Sequence, residues 1–216
     1  MLKPMAGGVE DRAVERAVRV AKERARDEVH VLVTAGRKLL HRDGAADMTI
    51  ADVLSEAGLS TRAFYRHFAS KSDLLLAIYD HEVDRYRPLL QRRLDAATTP
   101  REALEAWIDE LLAAAFEPRR CERTRAMFTW AVPLQQEFPA EFTAVRAALT
   151  DPLEAVLAAG RADGSFPRAE PARDAKFVRA LTWEMVEEHL SGAGIDAVTA
   201  REEVLRFCLP ALGATR

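Results

Sequence analysis

Apolar side chains recur at spacings of three and four along nearly the whole chain, the period of helices with one buried face. From Glu10 the pattern runs through Val14, Val18, Ala21, Ala25, Val29, Leu32, Gly36 and Leu39. It reads as one long helix to about Arg42, or as two breaking near Arg26. Residues 1–8 read as frayed. Residues 41–48 form a turn with Gly44 as C-cap. Further on, Ser70 caps a helix carried by Leu74, Leu75, Ile78, Val83, Tyr86, Leu90 and Leu94, with Asp73 completing its capping box and Pro88 marking a kink or break. After a capped loop at 95–100, four more helical stretches follow at 100–117, 118–136, 138–160 (interrupted at Asp151-Pro152) and 171–191. A last one covers 196–212. No segment reads convincingly as a strand, and the expected fold is all-α with nine or ten helices.

Residues 49–71, TIADVLSEAGLSTRAFYRHFASK, break this monotony with two very short helices. Thr49 is placed as an N-cap with Asp52 three residues on, a variant of the capping box. Ile50, Val53, Leu54 and Ala57 share one face. Gly58 suits the left-handed C-cap conformation, and Ser60 caps the next helix. That helix sets Ala63, Phe64 and Phe68 among Thr61, Arg62, Tyr65, Arg66 and His67. Residues 60–71 hold no acid, although the chain carries a net charge of −3. A cap–helix–Gly–cap–helix unit with a basic, aromatic second helix reads as a helix-turn-helix for duplex DNA. Arg62 is the candidate for a bidentate guanine contact, and Thr61 for a base edge or thymine methyl. Lys71 falls in the first turn of the following helix, where a cation opposes the macrodipole; a phosphate at that terminus would reverse the sign.

Thr49-Ile50-Ala51, Ala57-Gly58-Leu59-Ser60, Phe64-Tyr65-Arg66-His67-Phe68 and Lys71-x-Asp73-Leu74-Leu75 together resemble the DNA-binding signature of the tetracycline-repressor (TetR) family of bacterial regulators. The likeness is close over about residues 26–86 and elsewhere extends only to helical layout. It implies a helical extension at 1–25, a DNA-binding domain at 26–86 with its helix-turn-helix at 49–68, and an effector-binding and dimerisation body at 87–216. It implies phosphate contacts from Tyr65 and His67, with Thr49 and Lys71 clamping the backbone on either side and Arg66 in the same cluster. Where many relatives carry a hydroxyl this chain has Ala63, so one polar contact is missing there or replaced by apolar contact with a thymine. The resemblance further implies a homodimer built on the last two helices, bound to a palindromic double-stranded operator as a repressor. A small, largely apolar effector in the body would release it by shifting the helix from Ser70 to about Leu94. A DNA-binding regulator without such an effector, partner-gated or constitutive, remains the alternative.

Composition adds little to this and excludes some classes. Of 216 residues, 49% are hydrophobic and 30% charged, as in compact domains with a sizeable core. No apolar run approaches a membrane span, the N-terminus lacks a secretory core, and the cytoplasm is the expected compartment. Residues 1–93 carry net +3 and residues 94–216 net −6. That split gives weak support to a DNA-reading head; the acid-free cluster gives more. Cys121 and Cys208 have no partner spacing and read as free thiols. No nucleotide-binding, hydrolase or zinc motif occurs, so neither enzyme chemistry, cofactor nor metal is expected. Glu187-Glu188-His189 lacks metal-ligand spacing and reads as surface or dimer-seam residues. Trp107, Phe116, Phe128, Trp130, Phe142 and Trp183 sit at helical spacing. They are core by default, and candidates for lining an effector cavity between helices. Arg119, Arg120, Arg123 and Arg125 read as a solvent-exposed run, with the alternative that one meets an anionic ligand head such as a carboxylate. Arg12, Arg16, Arg19 and Arg26 read as a solvated face or as an arm touching phosphates.

Overall fold

The computed structural model describes residues 9–192 and 194–214; of Val9, residues 43–46, Phe128 and Thr129 it describes the backbone only. The frayed reading of residues 1–8 falls outside the described residues. Those described form nine helices and no strand: α1 (Val9–Asp47), α2 (Ile50–Ala57), α3 (Thr61–His67), α4 (Lys71–Asp95), α5 (Pro100–Phe116), α6 (Pro118–Glu137), α7 (Pro139–Asp163), α8 (Pro171–Leu190) and α9 (Ala197–Leu212). They pack as two compact units divided between Ile78 and Tyr79, so that α4 contributes residues 71–78 to a head and 79–95 to a body.

Helix continues through four places where the sequence offered a break. α1 is continuous through Arg26 and runs past Gly44 to Asp47. A glycine inside a helix costs only about 1 kcal/mol, and the good helix former alanine follows it twice. Likewise α4 runs through Pro88 and α7 through Pro152. The apolar faces on both sides of each proline are held in the core, with Val83, Leu90 and Leu94 of α4 and Phe142, Leu153 and Leu157 of α7 all buried. Packing of that extent outweighs one lost backbone bond.

The head closes around Leu32, Leu39, Met48, Val53, Phe64, Leu74 and Ile78, each almost fully buried. α2 and α3 are too short to persist alone, and the caps and this core hold them. Gly36 lets α1 approach α4, for a β-carbon there would lie 2.8 Å from the Ile78 Cδ1. In the body α5 is central, packed against α6, α7, α8 and α9. Its Leu104, Trp107, Ile108, Leu111, Leu112 and Ala115 are buried along one broad stripe. The loop after α7 folds back: Phe166 donates its N–H to the Gly160 carbonyl at 2.7 Å and lays its ring over that glycine. Cys208 is buried and Cys121 half-buried, both as free thiols. Burial first, and the Asp174 charge second, push the Cys208 thiol up to about 11.

Candidate functional site

The caps read from the sequence for α2 and α3 are present. Thr49 Oγ1 accepts the Asp52 N–H at 3.2 Å, and Asp52 Oδ2 accepts the Thr49 N–H at 3.1 Å and its hydroxyl at 2.6 Å. Gly58 closes α2 at φ 65°, ψ 27°, the left-handed conformation that favours glycine, and Ser60 Oγ accepts the Ala63 N–H. The chain then turns into α3 with its faces sharply divided. Ala63, Phe64 and Phe68 are buried, while Thr61, Arg62, Tyr65 and Arg66 are exposed. Ala63, at 5% exposure, is buried with Phe64 rather than presented on the exposed face. Tyr65, 58% exposed, stands edge-on to Phe64 with ring centroids 5.3 Å apart.

Two basic side chains of α3 are tied down by a residue that sequence reading passed over. Glu28 on α1 takes Arg66 Nη1 at 3.2 Å and His67 Nε2 at 2.7 Å. The hydrogen bond from His67 is the largest of the causes holding the Glu28 carboxyl below its usual range. The tie spans 39 residues of sequence, so no local spacing marks it. Lys71 is the first residue of α4 and half-buried. Asp73 accepts the Ala69 N–H at 3.0 Å and gives its own N–H to Ser70 Oγ, a capping box displaced by one residue. At the N-terminal end of α1, Arg12, Arg16, Arg19 and Arg26 are all exposed.

The body holds a cavity of about 360 Å³, at the small end of the range usual for small-ligand sites. Its apolar lining includes Val83, Leu111, Met127, Leu149 and Trp183; its polar lining includes Tyr79, Glu82, Arg120, Arg123, Arg146 and Glu187. Of the aromatic candidates, Trp183 lines it. Trp107 is core, its Nε1–H donating to the Leu149 carbonyl at 3.0 Å. Phe116 stacks on His189 at 4.0 Å, and Trp130 and Phe142 pack on Tyr79 at 6.0 and 4.7 Å. The Phe128 side chain lies outside the described residues. Glu187, read as a surface or seam residue, faces the cavity instead, one helical turn from Trp183. No group of three His, Cys, Asp or Glu able to hold a metal occurs among the described residues.

The arginine run of α6 is only in part a solvated face: Arg119 and Arg125 are exposed, whereas Arg120 and Arg123 are half-buried. Arg120 reaches the buried Glu110 at 2.7 Å, Arg123 faces Glu82 at 3.9 Å, and Arg125 donates to the Leu190 carbonyl at the end of α8 at 2.8 Å. Arg146, which the sequence left unremarked, stands over the Phe142 ring at 4.8 Å and donates to Gln135 at 3.2 Å. A basic residue four places from a phenylalanine on an apolar helical face was its one local signal.

Residues 32–78, covering α2, α3 and their supports, match the family described as bacterial regulatory proteins, tetR family. The transcriptional regulator HbdR of Aromatoleum sp. (strain CIB) is 31% identical over 75 residues, which are 35% of this chain and 33% of HbdR. The match thus spans about a third of that relative's length. Over the whole fold, FadR of Bacillus subtilis, solved with stearoyl-CoA, superposes with a TM-score of 0.65 at 14% identity, covering 84% of this chain and 98% of FadR. A transcriptional regulator of Saccharomonospora viridis, solved with choline, superposes with a TM-score of 0.65 at 19% identity, covering 84% of this chain and 95% of that one. The head thus matches the tetR family of bacterial regulatory proteins in sequence over residues 32–78, and the chain shares its fold with these solved regulators.

Proposed function

We propose that the protein is a DNA-binding transcriptional regulator, a homodimeric repressor that a small effector in the body cavity releases from a palindromic operator. The observation that carries the DNA reading is α3 itself. It buries Ala63, Phe64 and Phe68 and leaves Thr61, Arg62 and Tyr65 exposed on one surface without an acid among them. Such a helix enters a major groove with its N-terminal residues nearest the bases. Arg62 and Thr61 then read, and Tyr65 and Lys71 hold phosphates. Thr49 supports the unit through its cap, and Arg66 and His67 reach DNA only by leaving Glu28.

One short helix reads few base pairs, so specificity calls for two heads about 34–36 Å apart. The exposed apolar surface of the body supports a seam on α8 and α9, where Phe177, Val198 and Phe207 are 61%, 66% and 64% exposed. Large exposed rings are unusual on a monomer surface and common in interface cores. Release follows if effector and DNA prefer different conformers, a coupling that is reciprocal.

Footprinting on DNA flanking the protein's own gene tests the reading directly; no protected site would sink it. Given a site, Arg62→Ala is expected to lose about 1–3 kcal/mol of discrimination at one base position. Lys71→Ala is expected to weaken all sequences alike and lower the salt slope by about one. Phe207→Glu in the full chain is expected to give monomers by ultracentrifugation, with operator affinity falling in step.

A further inference from the structure

Arg146 differs from the other arginines that line the cavity. Arg120 is matched by Glu110, which also takes Arg93 at 3.3 Å, and Arg123 is matched by Glu82. Arg85 is exposed. Arg146 is half-buried, and its contacts are neutral: the Gln135 carbonyl oxygen, the Phe142 ring and the Tyr79 side chain. A second half-buried arginine, Arg179 on α8, lies close enough for the two positive charges to repel. No carboxylate pairs with either among the described residues. Burial first, and Arg146 second, pull the Arg179 guanidinium below its usual range. Nearby, Trp130 packs its ring on Tyr79 and is 4% exposed, and its Nε1–H meets no acceptor.

Around Tyr79 the body therefore collects two guanidiniums and a buried indole N–H with no anion to answer them. Burying unmatched positive charge is unfavourable unless a counter-charge arrives. Nothing of that kind holds on the other walls. Glu82 and Glu110 are already paired, and Glu187 stands beside Trp183 on α8. The remaining lining, with Val83, Leu111, Met127, Leu149 and Trp183, accepts an apolar body.

We propose that the effector cavity takes an amphiphile with a single anionic head, a carboxylate, seated against Arg146 with Arg179 reinforcing it and the apolar body running along Leu111, Leu149 and Trp183. This deepens the effector reading and rests on it for its biological meaning, though the binding itself does not. A planar guanidinium matches a carboxylate with two parallel N–H donors. An uncharged isostere leaves that donor set half-used.

The test is direct binding to the purified full-length protein without DNA, read by tryptophan fluorescence and calorimetry. Decanoate and 2-naphthoate are each compared with their carboxamides, and decyltrimethylammonium serves as the cation of matched body. Wild type is expected to prefer each carboxylate at least about tenfold. Arg146→Gln is expected to bring that ratio close to one while carboxamide affinity stays. Arg146→Lys retains part of the preference, and Arg179→Gln reduces it by less than Arg146→Gln. Lining that merely needs Arg146 for packing would lose carboxamide and carboxylate alike, so the ratio separates the roles even if a variant is less stable. Carboxylates that bind no better than carboxamides, or not at all, overturn the proposal, as does a preference for the ammonium probe. Failure of the regulator reading shows differently: carboxylate binds with the Arg146-dependent ratio, yet no DNA site is found or none is released.

Discussion

Head and body use their carboxylates in opposite ways. In the head the acids work at the surface, each spanning a joint between short elements. Asp52 and Asp73 complete caps, Glu56 meets Lys38 of α1, and Glu28 holds Arg66 and His67 of α3. In the body the decisive acids are inside. Glu110 is 2% exposed and Glu82 8%, each facing arginines of other elements. Exposed ties are weak and easily exchanged for other partners, and buried ones are costly to leave half-made. A surface proposed to engage a phosphate backbone benefits from the first kind. A cavity wall that must keep its shape needs the second.

The largest test of that contrast is Arg120→Ala. It leaves the Glu110 carboxylate in the apolar body with Arg93 alone, and is expected to cost about 3–5 kcal/mol in urea denaturation. A loss below about 1 kcal/mol, the scale of a surface pair, would erase the difference between the units. Next comes Gly160→Ala. The added methyl would fall 2.1 Å from the Phe166 ring, so that ring and its loop must move. A cost of about 1–3 kcal/mol is expected, with a lowered melting temperature. In the head, Ser60→Ala removes the α3 cap and is expected to cost about 1 kcal/mol, whereas Ser60→Asp keeps an acceptor and most of the stability.

The same contrast explains what could be read from the sequence. The head was legible because its devices are local: Thr49 to Asp52, Gly58, and Ser60 to Ala63 are each complete within four residues. The cavity was not, since Tyr79, Arg120, Arg146 and Trp183 meet only through tertiary packing. Helical spacing marks an aromatic as inward-facing. It does not distinguish Trp107, locked in the core by its bond to Leu149, from Trp183, on a cavity wall. Charge runs mislead for the same reason, as Arg120, Arg123 and Arg125 find their partners on α5, α4 and α8. Gly44 and Pro152 show local rules overruled by what surrounds them.

The smallest effect falls on the joint between α1 and α3. The fold holds the Glu28 carboxyl below its ordinary 4.5, chiefly through the hydrogen bond from His67. A depressed carboxyl pKa favours the ionised form in the folded state. Its stabilisation is therefore present above about pH 4.5 and is lost as pH falls through the lower folded value. Melting curves of wild type and Glu28→Gln should differ slightly and constantly above that pH, then converge in acid. A gap that persists or widens in acid would show that the tie is not electrostatic. The same variant sharpens the functional side of the contrast. With Glu28 neutral, Arg66 and His67 are released toward the DNA face, and each phosphate newly engaged steepens the dependence of log affinity on log salt by about 0.9. Operator binding across a salt series should thus become steeper in Glu28→Gln, although base preference at the Arg62 position stays as it was. An unchanged slope would mean that the tie survives on DNA, and that Glu28 orients α3 as a fixed part of the head.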